Sequence, residues 1–258
     1  MISINSFLIF LLGACLGSFA NVCIYRLPRN KQIISGRSFC PKCKKKINWH
    51  DNLPLVSFIF LNSKCRNCQR VISSRYFIVE LITAISFLFV FSNFDNPQTI
   101  IFLSILVLVL IMIFFIDLEN FIIPDSLNFT IMGLALVKNF LPNFGTSLIH
   151  EINQSIIGGM VGYSSIWLII FVYKTLKKID GMGLGDAKLM AGIGLLFGWQ
   201  SIPFVLFVSS ILGLIFVVPS LIKKQKTMRS KIPFGPFIIV ACLIYFAYGD
   251  FLYNLILL

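Results

Sequence analysis

Two carboxylic acids stand at the edges of apolar stretches in this chain. Asp117 closes the run Ile100–Ile116, and Asp186 follows Gly181-Met182-Gly183-Leu184-Gly185 at the mouth of another hydrophobic segment. Ionisable groups in or beside a bilayer are costly, so they are rare and usually functional. Two carboxyl groups brought together cannot easily ionise at once, and they share a proton. One then serves as base toward water while the other donates to a substrate carbonyl. Histidine offers little competition: His50 sits in a polar stretch, and His150 falls by a loop expected across the membrane from the acids. Ser-His-Asp and Cys-His arrangements are therefore poorly supported.

The plainer alternative is that the glycines pack helices and that Asp186 is an ordinary helix-opening cap. Under the functional reading, Gly181, Gly183 and Gly185 let the backbone take positive φ and approach a bound chain closely. Lys188, two residues beyond Asp186, either snorkels or neutralises the site. Spacing does not choose between Asp117 and Asp125 as the partner of Asp186.

A second constellation is made of cysteine. Cys40-Pro41-Lys42-Cys43 and Cys65-Arg66-Asn67-Cys68 form two CxxC pairs with 21 residues between them. Each tight pair can set two thiolates on one ion, and two pairs complete a tetrahedral zinc site. Four protein ligands leave no open position, so such a metal holds a fold and does no chemistry. Disulfides are the rival reading, but the segment is expected on the cytoplasmic side, where they rarely persist. Cys15, Cys23 and Cys242 lie in apolar segments and read as small core residues.

The elements that carry these groups are membrane helices. Hydrophobic residues make up 57% of 258 residues and charged ones 12%, more apolar surface than a soluble core of this size could hide. Apolar segments fall near residues 4–25, 76–92, 98–116, 126–141, 152–173, 187–199, 202–222 and 236–257, each approaching the length that crosses about 30 Å of hydrocarbon. Segment 187–199 is short, and its Gly192, Gly194 and Gly198 permit close helix packing. The first 25 residues lack a basic n-region and read as an anchor, not a cleaved signal.

Charge sets the orientation. The net charge of +12 comes from clusters: 12 of 22 Lys and Arg lie between Arg26 and Arg75, three at Lys174, Lys177 and Lys178, and five between Lys223 and Lys231. Basic clusters confined to short loops mark the inner face and need no nucleic acid to explain them. With the N-terminus outside, eight spans put these clusters, Asp117, Asp125 and Asp186 at the cytoplasmic side. The expected fold is an all-α polytopic membrane protein of about eight transmembrane helices. Residues 1–25 form the first, 26–75 a small cytoplasmic zinc-binding module, and 76–258 a seven-helix domain holding the acids.

Taken in order, several motifs resemble those of the type IV prepilin peptidases, the bifunctional leader peptidases and N-methyltransferases of the GxGD aspartyl protease group. They are Gly17-Ser18-Phe19-Ala20-Asn21-Val22, Tyr25-Arg26-Leu27-Pro28, both cysteine pairs and Ser74-Arg75-Tyr76 with Glu80. Ile116-Asp117, Ile123-Pro124-Asp125, Gly183-Leu184-Gly185-Asp186-Ala187-Lys188 and Pro233-Phe234-Gly235-Pro236 complete the series. The resemblance spans nearly the whole chain. It implies that Asp117 and Asp186 are the catalytic pair, with Gly183, Gly185, Lys188, Asp125, Pro233 and Gly235 in support. It also implies cleavage of the basic leader of prepilins or pseudopilins after a glycine, at the cytoplasmic face of a bacterial inner membrane. Methylation of the new N-terminus from S-adenosylmethionine would follow. Ser63 stands where the family commonly has glycine, two positions before the third cysteine. No glycine-rich Rossmann-type loop is present, so the Gly17–Pro28 region and the 26–75 module are the candidates for the methyl-donor site. For Gly17–Pro28 the plainer reading is helix packing and anchoring at the membrane edge by Tyr25 and Arg26. Two other classes fit an acid pair: a transporter carrying protons or cations on it, with sites expected near the bilayer midplane, and a non-catalytic pilus or secretion assembly protein.

Overall fold

The computed structural model describes residues 4–33, 38–40, 42–140, 152–178, 182–222 and 232–256. Gly181, His150 and the basic stretch 223–231 lie outside them. Nine α-helices occupy the described residues: α1 (Ile4–Arg26), α2 (Val56–Phe60), α3 (Ser74–Asn93), α4 (Pro97–Asn120), α5 (Asp125–Lys138), α6 (Ile152–Lys177), α7 (Leu184–Phe197), α8 (Ser201–Ile222) and α9 (Gly235–Ile256). Strands are absent among these residues, and pairing is limited to two isolated β-bridges. Long apolar runs become helices because only a helix satisfies every backbone group within one segment in lipid. Local signals set the ends. Ser73 accepts the Arg75 N–H before α3, Pro97 opens α4 where a missing N–H costs nothing, and Gly198 at φ 76° closes α7.

Eight of the nine helices occupy the eight apolar segments of the sequence. Five are long and apolar enough to cross a membrane: Ile4–Arg29 (counting the short 3-10 turn that continues α1), Ser74–Asn93, Pro97–Asn120, Ile152–Lys177 and Ser201–Val218. Gly235–Gly249 forms a shorter apolar helix. The 14-residue α5 and α7 reach only about 21 Å at 1.5 Å per residue, less than a hydrocarbon core. Among the described residues five helices thus meet the length and composition of a span, and these do not by themselves confirm the count of eight.

The chain divides into two compact units, residues 1–112 and 113–258. In the first, α1 lies along α3. Their backbones close at two glycines one turn apart: a Cβ at Gly13 would stand 2.8 Å from the Ala84 Cα, and one at Gly17 would stand 2.7 Å from the Glu80 Cα. Small residues at this spacing let membrane helices approach and gain packing where no hydrophobic effect drives them together. That closure joins α3 to α1 within the first unit.

In the second unit α7 is central, with α6 and α5 packed against it, while α8 pairs with α9. Ten of its 14 residues are buried, the signature of a helix surrounded by protein. Gly158 and Gly162 of α6 lie directly on the Gly194 and Met190 carbonyls, and Gly192 meets Ile131 of α5. At the far end of α7 the buried Lys138 ammonium donates to the Leu196 carbonyl, supplying positive charge where a helix leaves carbonyls unpaired.

Candidate functional site

Asp117 lies in the last turn of α4. The helix ends there because Phe121 takes the left-handed conformation, φ 57°, and its N–H donates to the Asp117 carbonyl at 2.9 Å. A bulky residue in this region is uncommon and costs energy. The chain then turns through Ile122–Pro124 and enters α5. The Asp117 side chain is buried, 4% exposed, and its Oδ2 accepts the Gly235 N–H at 2.9 Å. Gly235 opens α9, where an N–H has no carbonyl in its own helix. A Cβ there would stand 2.8 Å from Asp117 Oδ2, so only glycine admits the carboxyl group this closely.

Asp186 occupies the first turn of α7, with Gly183 as the residue before the helix. Its carboxyl group accepts the N–H of Gly183 and its own N–H, and it feels the charge of Asp117. The reach back to the capping residue is one half of a capping box, since Gly183 has no side chain to return the bond. It leaves Asp186 Oδ1 buried with no hydrogen-bond partner. Ile123 wedges between the two helix starts: its Cβ is 3.1 Å from a Cβ placed at Gly185, and its Cδ1 is 3.2 Å from one placed at Gly235.

The role expected for the glycines changes. Gly183 has φ −86° and ψ 148°, and among the described residues Gly198 is the one glycine with positive φ. Glycine at 185 is required for space against Ile123, not for an unusual backbone conformation. Lys188 pairs with Asp125, Nζ to Oδ1 at 2.7 Å, and the Asp125 carboxyl is largely exposed. Asp117 and Asp186 thus interact in a buried place, while Asp125 meets a lysine at the surface. Pro233 is buried just before α9.

The four thiols also converge. The Sγ atoms of Cys40, Cys43, Cys65 and Cys68 lie within 4.8 Å of one another, with Cys40 and Cys68 at 3.9 Å. Ligands about 2.3 Å from a tetrahedral zinc are about 3.8 Å apart, whereas a disulfide requires about 2.05 Å. Two copies of one knuckle build the cluster. In the first, Phe39 bridges Lys46, Cys40 N–H donates to Lys45 O at 3.0 Å, and Lys44 has φ 57°. In the second, Lys64 bridges Val71, Cys65 N–H donates to Arg70 O at 2.9 Å, and Gln69 has φ 55°.

Four thiols in one shell resist ionising together. Burial opposes the Cys40 thiolate, but the Cys43 and Lys42 N–H groups and neighbouring thiols bring its pKa down to about 7. Cys68 moves the other way, to about 11: the Arg70 N–H pulls it down, and burial with the three other thiols outweighs it. A dication removes this conflict by stabilising all four thiolates. Asp51 steadies the module from outside the cluster through a forked pair with Arg66, Nη2 to Oδ1 at 2.7 Å and Nε to Oδ2 at 2.9 Å. The guanidinium holds the Asp51 carboxyl below the usual range. His50 stays at the surface beside Asp51. Of the remaining cysteines, Cys23 and Cys242 are buried and Cys15 is exposed.

Some residues of the site were invisible in the sequence. Ile123 is one more apolar residue there, and only the convergence of α7 and α9 makes it a spacer. Asn128, fully buried on α5, donates from Nδ2 to the Gly185 carbonyl at 3.3 Å and steadies the turn before Asp186. An Asn within an apolar run is a signal of sorts, but it does not name its partner.

A helical membrane protein with two buried, interacting carboxyl groups at helix ends and a separate four-cysteine module defines a narrow class. Residues 11–94 match the bacterial peptidase A24 N-terminal domain, and residues 104–218 match the type IV leader peptidase family. Similar proteins include the prepilin leader peptidase/N-methyltransferases of Aeromonas salmonicida (strain A449), 32% identical over 94% of this chain and 90% of that protein; of Vibrio cholerae serotype O1, 36% identical over 90% and 92%; and of Pseudomonas aeruginosa, 31% identical over 93% and 89%. No solved structure matches. The chain belongs to the type IV leader peptidase family.

Proposed function

We propose that this chain is a membrane aspartic endopeptidase and N-methyltransferase. It cleaves the basic leader of type IV prepilins or type II pseudopilins after a glycine and then methylates the new N-terminus. Family membership and the names of its relatives support the activities. The observation that carries the catalytic reading is the buried pair Asp117 and Asp186, each held by backbone N–H donors at a helix start and coupled to the other by charge.

In this reading one ionised acid takes a proton from water as the oxygen attacks the scissile carbonyl carbon. The other, protonated, donates to the carbonyl oxygen. As the tetrahedral species collapses, the C–N bond breaks, the proton gained from water passes to the leaving amine, and one hydroxyl returns its proton to the second acid. The leader departs with a C-terminal carboxylate, and the pilin gains a free amine. Asp186 Oδ1, buried without a protein partner, is the atom best suited to face water or substrate. Zinc bound by Cys40, Cys43, Cys65 and Cys68 would hold the 26–75 module together. When bound, S-adenosylmethionine supplies a methyl group on a sulfonium that an amine can take.

The basic clusters support an inner-membrane protein with its N-terminus outside and the acids at the cytoplasmic side, where the basic leader of a prepilin would remain. Co-expression with a prepilin, followed by mass spectrometry of the pilin N-terminus, tests the whole reading. Wild type should release the leader after glycine and add one CH₂. Asp117→Asn and Asp186→Asn should each leave the prepilin uncut. Pilus assembly supported by the double variant with unprocessed pilin would favour a non-catalytic assembly role instead.

A further inference from the structure

The acid pair leaves unused several motif residues near the start of the chain, and these meet at one place. Ser18, Asn21, Val22, Tyr25 and Arg26 of α1, with Tyr76 and Glu80 of α3, line a cavity of about 150 Å³ whose remaining wall is the cysteine module. Packing accounts for Gly17, which touches α3; it does not account for the polar groups beside it.

Asn21 is 2% exposed. Its Nδ2 donates to the Tyr76 carbonyl at 3.0 Å, while its Oδ1 is buried with no partner. A buried acceptor left unpaired is costly, so it calls for an explanation such as a ligand donor. Glu80, 9% exposed, takes the Leu55 N–H on Oε2 at 2.8 Å and is also bonded by Ser18. To deliver that N–H, Leu55 adopts φ 62° and ψ −48°, a costly conformation for a branched side chain. Backbone strain thus holds a carboxyl group at the cavity wall. Phe58 and Phe77 stack at 5.3 Å on the same wall.

We propose that this cavity in the first unit, with Asn21 and Glu80 as its polar contacts, binds the charged end of S-adenosylmethionine. The inference rests on the N-methyltransferase reading above and adds where the donor is held. The fit is chemical. The donor carries a sulfonium and an ammonium, which suit a buried carboxylate and an unpaired amide oxygen, and a carboxylate, which suits the buried guanidinium of Arg26 on the cavity wall, whose Nη1 also donates to the Gln32 and Ile33 carbonyls. Aromatic faces also attract cations when water is excluded. The space is smaller than the roughly 300–1,000 Å³ of pockets that enclose a drug-sized ligand, so it takes one end of the molecule.

The test is direct binding to the full-length, metal-loaded protein in detergent. S-adenosylmethionine is titrated calorimetrically into wild type, Glu80→Gln and Val22→Phe, with zinc content and thermal unfolding recorded for each. Glu80→Gln removes the charge and keeps an acceptor for Leu55, while Val22→Phe fills the cavity. Wild type should bind, and each variant should bind at least about tenfold more weakly with metal content unchanged. Wild-type affinity in both variants overturns the cavity assignment and leaves the N-methyltransferase reading standing. No binding by wild type sinks that reading and this one together. Should Glu80→Gln unfold, Val22→Phe decides by the same criterion.

Discussion

Gly235 offers a hydrogen where every other residue offers a carbon, and Asp117 Oδ2 sits 2.8 Å from that position. The same residue donates the N–H that holds the carboxyl group at 2.9 Å. Alanine here should displace Asp117 and leave both helices intact. Misplacement of a reacting group by about 1 Å can cost on the order of a hundredfold. Gly235→Ala should therefore lower kcat/KM for prepilin cleavage by about ten- to a hundredfold with little change in the melting temperature. Wild-type kinetics would show that the contact does not set the geometry of the acids. Gly185 works by the same logic of space, against Ile123, and Asn128 holds its carbonyl.

Helix contacts, not helix propensity, place these residues. The short α7 carries Asp186 at one end and is gripped by Gly158 and Gly162 of α6 along its length. Gly162→Val should push α6 away from the Met190 carbonyl and destabilise the protein by about 1–3 kcal/mol, as overpacking does in a filled core. Gly133 is a useful contrast: it lies within α5 with nothing within 4 Å of an added Cβ. Gly133→Ala should be neutral or stabilising by up to about 1 kcal/mol. Thermal unfolding of the two purified variants in one detergent compares them directly. Equal melting temperatures would mean that the α6–α7 seam yields at no cost.

Across the whole molecule, the acids and the thiols belong to different compact units, 113–258 and 1–112. Metal removal should therefore act on the first unit. Cys40→Ser with Cys65→Ser should reduce zinc from about one per chain to none and open residues 38–72 to limited proteolysis. Metal analysis and mass mapping of the fragments read both effects. A module that stays protease-resistant without metal would overturn the structural role. The same unit shows why the cysteine spacing was readable. Each CxxC closes locally, through a left-handed residue four positions after its first cysteine and a bridge across eight residues. Sequence distance and spatial distance nearly coincide there.

The amino-acid sequence carries the helical membrane class, the basic faces and the two constellations, because hydrophobic runs, charge clusters and short motifs are local properties. It also marked Asp117 and Asp186 as costly acids, although Asp125 stood on an equal footing by spacing. Tertiary packing is what brings Asp125 to Lys188 at the surface and Asp117 to the N-terminus of α9, 118 residues away in sequence. Packing also leaves α5 and α7 at 14 residues each and has Gly185 yield space to Ile123 without a left-handed turn. It also brought Asn21 and Glu80 to one cavity. These outcomes depend on which helices pack together, and packing is fixed by shape across distant segments that no local pattern encodes.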